Sequence, residues 1–353
     1  MRLPTKTQTS RRALQILVLL LMVVTPILAR YGNYLSARQL DKMVERFDGS
    51  FQGKALVWTD GTLRLLAPDK HYGEDVVRRD RKRVLEAAAS LKGSTWSFEL
   101  FGLSLTDPLA VLESALTSKA LPWVLLSGAL IPLIFTILLG RIFCSWICPI
   151  GFLLELSGKL RAVLRFLEIR PGRIRLWPGD KFLILGLGLA TAVFFGLPFL
   201  GYLYPPALLG REIHNGVTVM FDRAEEGLLG FSAAGLTLAS WFLLGIGIVE
   251  ILFGPRLWCR ALCPGGAVYA ALGKFRLIRV KRNADLCTDC AECIPVCEMG
   301  LNPMRDHTGI ECDNCGVCIS HCPDGALRYE FSLSDEPRRS SAGNAPLCRK
   351  EAV

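Results

Sequence analysis

Apolar residues along the chain gather into long uncharged runs, separated by stretches that carry most of the charge. The first run, residues 13–29, follows Arg2, Lys6, Arg11 and Arg12, with no acid among residues 1–12. The second, residues 120–140, is uncharged from end to end between Lys119 and Arg141. At about 1.5 Å per residue it spans about 30 Å, one bilayer core. Residues 182–203 and 228–253 are the third and fourth runs; Pro205-Pro206 is expected to stop the third, and Glu250 sits near the end of the fourth. The pattern predicts four transmembrane helices. The first run is short, and Arg30 can snorkel to complete it. A cleaved signal peptide is the competing reading. Leu28-Ala29 fits a cleavage site poorly, so an uncleaved anchor is expected.

The polar stretches predict smaller elements. Residues 55–58 and 62–66 flank Thr59-Asp60-Gly61, a hairpin signature. Residues 73–92 read as a charged helix with Val76, Val77, Val84, Leu85 and Ala88 on its apolar side. Leu105-Thr106-Asp107-Pro108 opens another helix, with Asp107 as cap and Pro108 at its first position. Residues 31–119 thus form a small α+β loop domain without a catalytic constellation. Phe152, Leu153, Leu156, Leu160, Val163, Leu164 and Leu167 recur at helical spacing among basic residues, as in a helix lying on a bilayer surface. Residues 333–353 read as a disordered tail.

Composition agrees with the membrane reading. Hydrophobic residues are 51% of 353 and aromatics only 9%; the mean hydropathy is +0.35. The net charge of +9 sits beside the spans rather than in an aromatic-interleaved patch, so nucleic-acid binding is not expected. Residues 141–181 hold eight Lys or Arg against three acids, 254–285 seven against one, and 204–227 two against four. The first two segments are therefore expected in the cytoplasm and the third outside it. Residues 31–119 follow as extracytoplasmic, with 1–30 carrying the cytoplasmic N-terminus and first span.

Cysteine supplies the chemistry. Cys287, Cys290, Cys293 and Cys297 are spaced CxxCxxCxxxC, and so are Cys312, Cys315, Cys318 and Cys322, the last followed by Pro323. Zinc sites pair CxxC units and do not triple them. Short gaps of this kind wrap three thiolates around an iron–sulfur cube, and the fourth Cys ligates the other cluster. One [4Fe–4S] cluster is assigned to Cys287, Cys290, Cys293 and Cys322, the other to Cys312, Cys315, Cys318 and Cys297. Glu298 follows Cys297 where proline is usual. Residues 280–332 form this ferredoxin-like α+β domain. Cys348, in the tail, is read as an inert thiol.

The remaining four cysteines lie in an internal repeat. Arg141, Cys144, Cys148, Pro149 and Gly151 recur at an offset of 115 as Arg256, Cys259, Cys263, Pro264 and Gly266. The upstream loops echo this weakly, Leu105 and Pro108 against Leu203 and Pro206. Each copy follows a hairpin of two spans, so the expected fold is mostly α: a four-helix bundle built as two parallel repeats. On a helix the two Cys of each pair share a face, and the following proline restarts the helix. Convergence of Cys144, Cys148, Cys259 and Cys263 gives a third metal or redox centre. The competing readings are thiols that pack helix ends, or pairs that cycle as disulfides.

The two CxxxCP motifs, the four spans, Leu105 to Pro108 and the doubled cysteine run resemble the NapH/MauN-type ferredoxin family, over about residues 95–332. The resemblance implies a bacterial inner-membrane component of a quinol dehydrogenase. It implies two [4Fe–4S] clusters in the cytosol, and electron transfer between the quinone pool and a periplasmic ferredoxin or cytochrome-type partner. Residues 31–95 depart from the shorter family pattern. A second reading is an electron-donating maturation factor whose CxxxCP thiols handle metal; a third is a redox-sensing scaffold. For quinol protons, Glu250 and His214, with Arg211 and Glu212, are candidates. The bland alternatives are a Glu250–Arg256 ion pair and a loop salt bridge.

Overall fold

The computed structural model describes residues 6–36, 40–66, 91–94, 97–100, 103–119, 123–168, 172, 174, 176–222, 237–305 and 309–332. Helix α1, Lys6–Ser36, is the one helix among these long and apolar enough to cross a membrane. Its two faces invert the soluble pattern. Ile16, Leu17, Leu20 and Val23 point outward, while Gln8, Arg11 and Gln15 are buried. The buried three are spaced three and four apart, one stripe of the helix.

Helices α2 (Leu40–Arg46) and α3 (Phe51–Leu66) follow. The expected hairpin at residues 59–61 is therefore replaced by helix. Leu56 and Leu63, two turns apart, are buried against Tyr31 of α1, so burial on one helical face outweighs the local turn preference. The Thr59 and Thr62 hydroxyls donate back to the carbonyls of Ala55 and Trp58. Tyr31 donates to Asp60 at 2.6 Å. The same core takes in Val217 and Phe221 from a later helix. Residues 31–66 thus extend the bundle core.

Strands β1 (Leu91–Ser94), β2 (Ser97–Leu100) and β3 (Leu103–Thr106) form an antiparallel meander. Of the helix expected over residues 73–92, only Leu91 and Lys92 lie among the described residues, and both are in β1. The tail with Cys348 lies outside them. Strand β3 runs straight into α4, Pro108–Ser118. There Asp107 accepts from the Leu109 N–H and Pro108 takes the first turn, as the sequence predicts.

Among the described residues, the later apolar helices are shorter than the expected spans. Helix α5 covers Trp123–Leu139, and α6 covers Pro149–Phe166. Asp180–Phe195 is α7, Leu200–Leu203 is α8 and Pro205–Asp222 is α9. Leu238–Phe253 is α10. Helices α5, α7 and α10 have 17, 16 and 16 residues, about 25 Å each. Gly140 and Gly196, at φ 75° and 65°, turn the chain out of α5 and α7, as left-handed glycines do at helix ends. Pro205 does not stop the third span; it opens α9. The outward faces remain apolar, with Ile134, Phe135, Leu187, Phe194, Trp241 and Leu244 all exposed.

Two short helices, α11 (Leu257–Ala261) and α12 (Pro264–Leu272), end the second repeat. The C-terminal segment is closed by β4 (Ile278–Arg282) paired antiparallel with β5 (Leu327–Phe331), with α13 (Val317–His321) between them. Strand β4 is tied back to α5 by Leu277 N–H donating to Leu138 O at 2.9 Å.

Replacing Gly61 by alanine tests the helix in place of the hairpin. Gly61 is exposed, has no atom near its absent Cβ and lacks a positive φ. Gly61→Ala is expected to stabilise the protein by about 0.5–1 kcal/mol in thermal unfolding. A loss of stability would instead mark a turn.

Candidate functional site

The eight cysteines of the C-terminal segment separate into two small pockets. One is lined by Cys287, Cys290, Cys293 and Cys322, the other by Cys297, Cys312, Cys315 and Cys318. This is the three-plus-one exchange that cluster ligation requires. The loops that make it are themselves a repeat. Asp289 and Ala291 have positive φ, and so do Asn314 and Gly316, twenty-five residues on. Left-handed residues between the cysteines fold each loop around its pocket. The Leu301 N–H donates to Cys297 Sγ. Among the described residues, no group of three or more His, Cys, Asp or Glu is drawn close enough to hold a single metal ion. A cube with iron at four corners holds its thiolates further apart than one ion does, so four-cysteine pockets fit the cluster. Burial pushes the Cys293 and Cys312 thiols up to about 11 and Cys318 up to about 12. Left to themselves these thiols keep their protons, and ligation must displace them.

The CxxxCP repeat holds at atomic detail. Cys144 lies in a π-helical turn, Phe143–Ile147, and Cys259 in α11. Cys148 and Cys263 do not share those helices, as the sequence predicts they would. Each sits just past the turn in extended backbone, at φ −61°, ψ 118° and φ −71°, ψ 116°. The cause is a wide turn: Cys148 N–H donates to Phe143 O and Cys263 N–H to Trp258 O, five residues back in both copies. Pro149 and Pro264 then restart helices α6 and α12. A Cβ on Gly151 would meet Cys144 O at 2.8 Å, and one on Gly266 would meet Cys259 O at 3.2 Å. At Gly151 a side chain would force the new helix off the preceding turn, and at Gly266 the neighbours would have to give by a few tenths of an ångström. All four cysteines line one cavity of about 360 Å³. Burial pushes Cys148 and Cys263 up to about 12 and also raises Cys144 and Cys259.

The C-terminal segment docks on this platform through buried charge. Arg141 pairs with Glu311 at 2.9 Å, and Lys181 pairs with the same carboxylate. Arg256 reaches Glu298 at 2.5 Å, Asp313 at 3.1 Å and Glu155 at 3.1 Å. Arg11 of α1 also pairs with Glu155. Four cations thus meet four anions. Ser145 donates to Asp313 O at 2.6 Å, Gln8 to Cys315 O at 2.9 Å and Gln15 to Ser145 O at 2.7 Å. The pocket containing Cys315 therefore sits directly over the CxxxCP cysteines. The other pocket lies outermost, where Cys290 is exposed.

Below the cysteines the same cavity is lined by Asp107, Tyr204 and Tyr269. Tyr204 and Tyr269 donate to Asp107 Oδ2 at 2.7 and 3.2 Å. Burial raises Asp107, and its hydrogen bonds from Tyr204, Leu109 N–H and Tyr269 oppose the rise. The ends of the two segments expected outside the membrane therefore meet Tyr269, from the segment expected inside, within the bundle. The structural counterpart of Asp107 is Tyr204, each preceding a helix-opening proline, one position away from the echo read in the sequence. Glu250 does not pair with Arg256. Its carboxylate accepts from the Leu257 and Trp258 N–H groups at 3.0 and 2.7 Å, capping α11. Glu212 accepts from Thr237 and Ser240, and Arg211 lies over the Tyr202 ring, so the expected loop salt bridge gives way to helix contacts. His214 is exposed and lines the cavity. The Asp107–Tyr204–Tyr269 cluster was not singled out from sequence; its signal was a pair of phenols in otherwise apolar runs.

A family described as "4Fe-4S binding domain" matches residues 121–167 and again 234–283. Each match holds one CxxxCP motif. The ferredoxin-type protein NapH of Haemophilus influenzae is 30% identical over 253 residues, covering 68% of this chain and 80% of that protein. The methylamine utilization ferredoxin-type protein MauN of Methylobacillus flagellatus is 33% identical over 213 residues, covering 60% of this chain and 66% of that protein. NapH of Escherichia coli is 28% identical, covering 66% and 78%. No solved structure matches.

Arg256→Met takes the arginine from Glu298 and Asp313 and leaves Glu155 to Arg11 alone. It is expected to destabilise the docked C-terminal segment by about 3–5 kcal/mol, the usual result of leaving buried charge unpaired. Limited proteolysis should then cut near residue 277 in the variant while leaving the wild type intact.

Proposed function

The chain belongs to the NapH/MauN ferredoxin-type family of iron–sulfur electron-transfer proteins, and on that footing we propose that it carries electrons between membrane quinol and a redox partner protein. The observation that carries this reading is the order of the cysteine sets. The cavity with Cys144, Cys148, Cys259 and Cys263 abuts the pocket of Cys297, Cys312, Cys315 and Cys318, and the pocket of Cys287, Cys290, Cys293 and Cys322 lies beyond it. Iron–sulfur clusters, when bound, supply reversible one-electron transfer. The eight C-terminal cysteines are the ligands of two [4Fe–4S] clusters. The four CxxxCP cysteines hold a third metal or iron–sulfur centre, a reading supported by the family match falling on each of their two motifs.

Chain residues position these sets. Arg141 holds the docked loop at Glu311, and Arg256 holds it at Glu298 and Asp313. Asn314 donates to Leu139 O and Ile278 O at 2.8 and 3.0 Å, and it accepts from Tyr329 at 2.9 Å, holding the loop to both α5 and β4. At the outer pocket Asp285, Asp289 and Glu292 stand exposed around Cys290, an acidic rim for a redox partner.

The membrane reading rests on the outward faces. A water-soluble protein rarely leaves contiguous apolar surface of this extent uncovered. Helices α1, α5, α7 and α10 are the four spans. Helices α5 and α10 both end at a CxxxCP motif and so run in the same direction, as parallel repeats do. Loop charge puts the ferredoxin segment on the cytoplasmic face.

Anaerobically purified protein in proteoliposomes is expected to show its iron–sulfur absorption bleached by quinol; no bleaching by quinol, with dithionite effective, rejects the quinol reading. Iron should exceed the roughly eight atoms of two cubes. In Cys144→Ser the excess alone should disappear from iron analysis and from the EPR spectrum. Unchanged iron in that variant rejects a third iron centre.

A further inference from the structure

The cavity beside the CxxxCP cysteines extends well past them. Helix α1 contributes Leu14, Val18, Leu21, Met22 and Thr25 to its wall, a stripe at three- and four-residue spacing about 16 Å long. The outward residues of the same helix are exposed and apolar. His214 on α9 also lines it, ten residues beyond Tyr204 and so about 15 Å along the helix. The space is thus an elongated apolar slot running beside the one helix of membrane length. One end carries a carboxylate held by two phenols, next to four cysteines. At about 360 Å³ it is within the range that takes a small organic ring and its first substituents.

We infer that this slot is the quinol site, with the ring at Asp107, Tyr204 and Tyr269 and the isoprenoid tail lying along α1. The inference rests on the quinol reading above and adds where the quinol binds and which group takes its proton. On oxidation the two O–H bonds of quinol break and quinone forms. The two protons pass one after the other to the Asp107 carboxylate, which releases each to solvent, and the two electrons would go one each to two oxidised iron–sulfur clusters. Tyr204 and Tyr269 position the carboxylate, since both of their hydroxyls already donate to the same oxygen, Oδ2. Oδ1 is engaged with the Leu109 N–H as the cap of α4. An amide at this position keeps that cap but accepts no proton.

The test uses the full-length, iron-loaded protein in nanodiscs with an azidoquinone photoprobe. Label is expected on peptides containing residues 14–26 and 103–110, and excess unlabelled quinone should compete it away. Val18→Trp fills the slot and should lower labelling at least tenfold, with iron content and visible spectrum retained. If that variant does not fold, Leu21→Phe serves in its place. Asp107→Asn should keep its labelling, yet quinol should bleach its clusters about 100-fold more slowly, the typical contribution of a positioned base. Dithionite should reduce it at the wild-type rate. Label mapping elsewhere, while quinol still bleaches the wild type, overturns this site and leaves the quinol reading standing. Wild-type bleaching in Asp107→Asn overturns the role of Asp107. Failure of quinol to bleach the wild type removes both.

Discussion

The arrangement depends on a neutral block of buried charge. Arg141 and Arg256, equivalent by the repeat, are both almost fully buried. Isolated ions in that position would be costly by many kcal/mol. Each is met by carboxylates from the C-terminal segment, and Lys181 and Arg11 balance what remains. Because the charges cancel only when the two parts are together, the same interaction that tolerates arginine beside the cysteines also fixes the distance between cysteine sets. Electron transfer needs that distance kept, and a flexible tether would not keep it.

The repeat provides two equivalent arginines, but the partners break its symmetry. Arg141 meets Glu311, while Arg256 meets Glu298, Asp313 and Glu155. Glu298 stands where the cysteine run usually has proline. Its carboxylate accepts from Arg256 at 2.5 Å, a role proline cannot fill. The departure from the usual motif is thus a docking contact, and the cysteine register around it is unchanged.

Much of this was legible because it was local. The cysteine spacing, the Asp107 cap and the prolines after Cys148 and Cys263 are each written within a few residues, and the offset of 115 repeats one such local motif. The apolar runs marked α1, α5 and α10 well, although a left-handed Gly196 ended α7 early. Other features needed the tertiary fold. Thr59-Asp60-Gly61 carries a turn signature, yet burial of Leu56 and Leu63 on one face made it helix. Glu250 had an arginine six residues away as an obvious partner, and backbone N–H groups took it instead. The Asp107–Tyr204–Tyr269 cluster joins residues 97 and 162 apart, which spacing along the chain cannot reveal. The buried stripe of Gln8, Arg11 and Gln15 was visible only as a basic N-terminus.

That stripe has a consequence for how the molecule is made. Gln8 donates to a carbonyl 307 positions later in the chain, so α1 must wait for the loop around Cys315 to be synthesised. Contacts of such long sequence separation form slowly, because the intervening chain must be brought together first. Formation of α1 is therefore an early event and its polar contacts a late one, completed only when the loop around Cys315 has taken its shape. Assembly of this electron carrier closes as a ring, with α1 and the loop around Cys315 joined last.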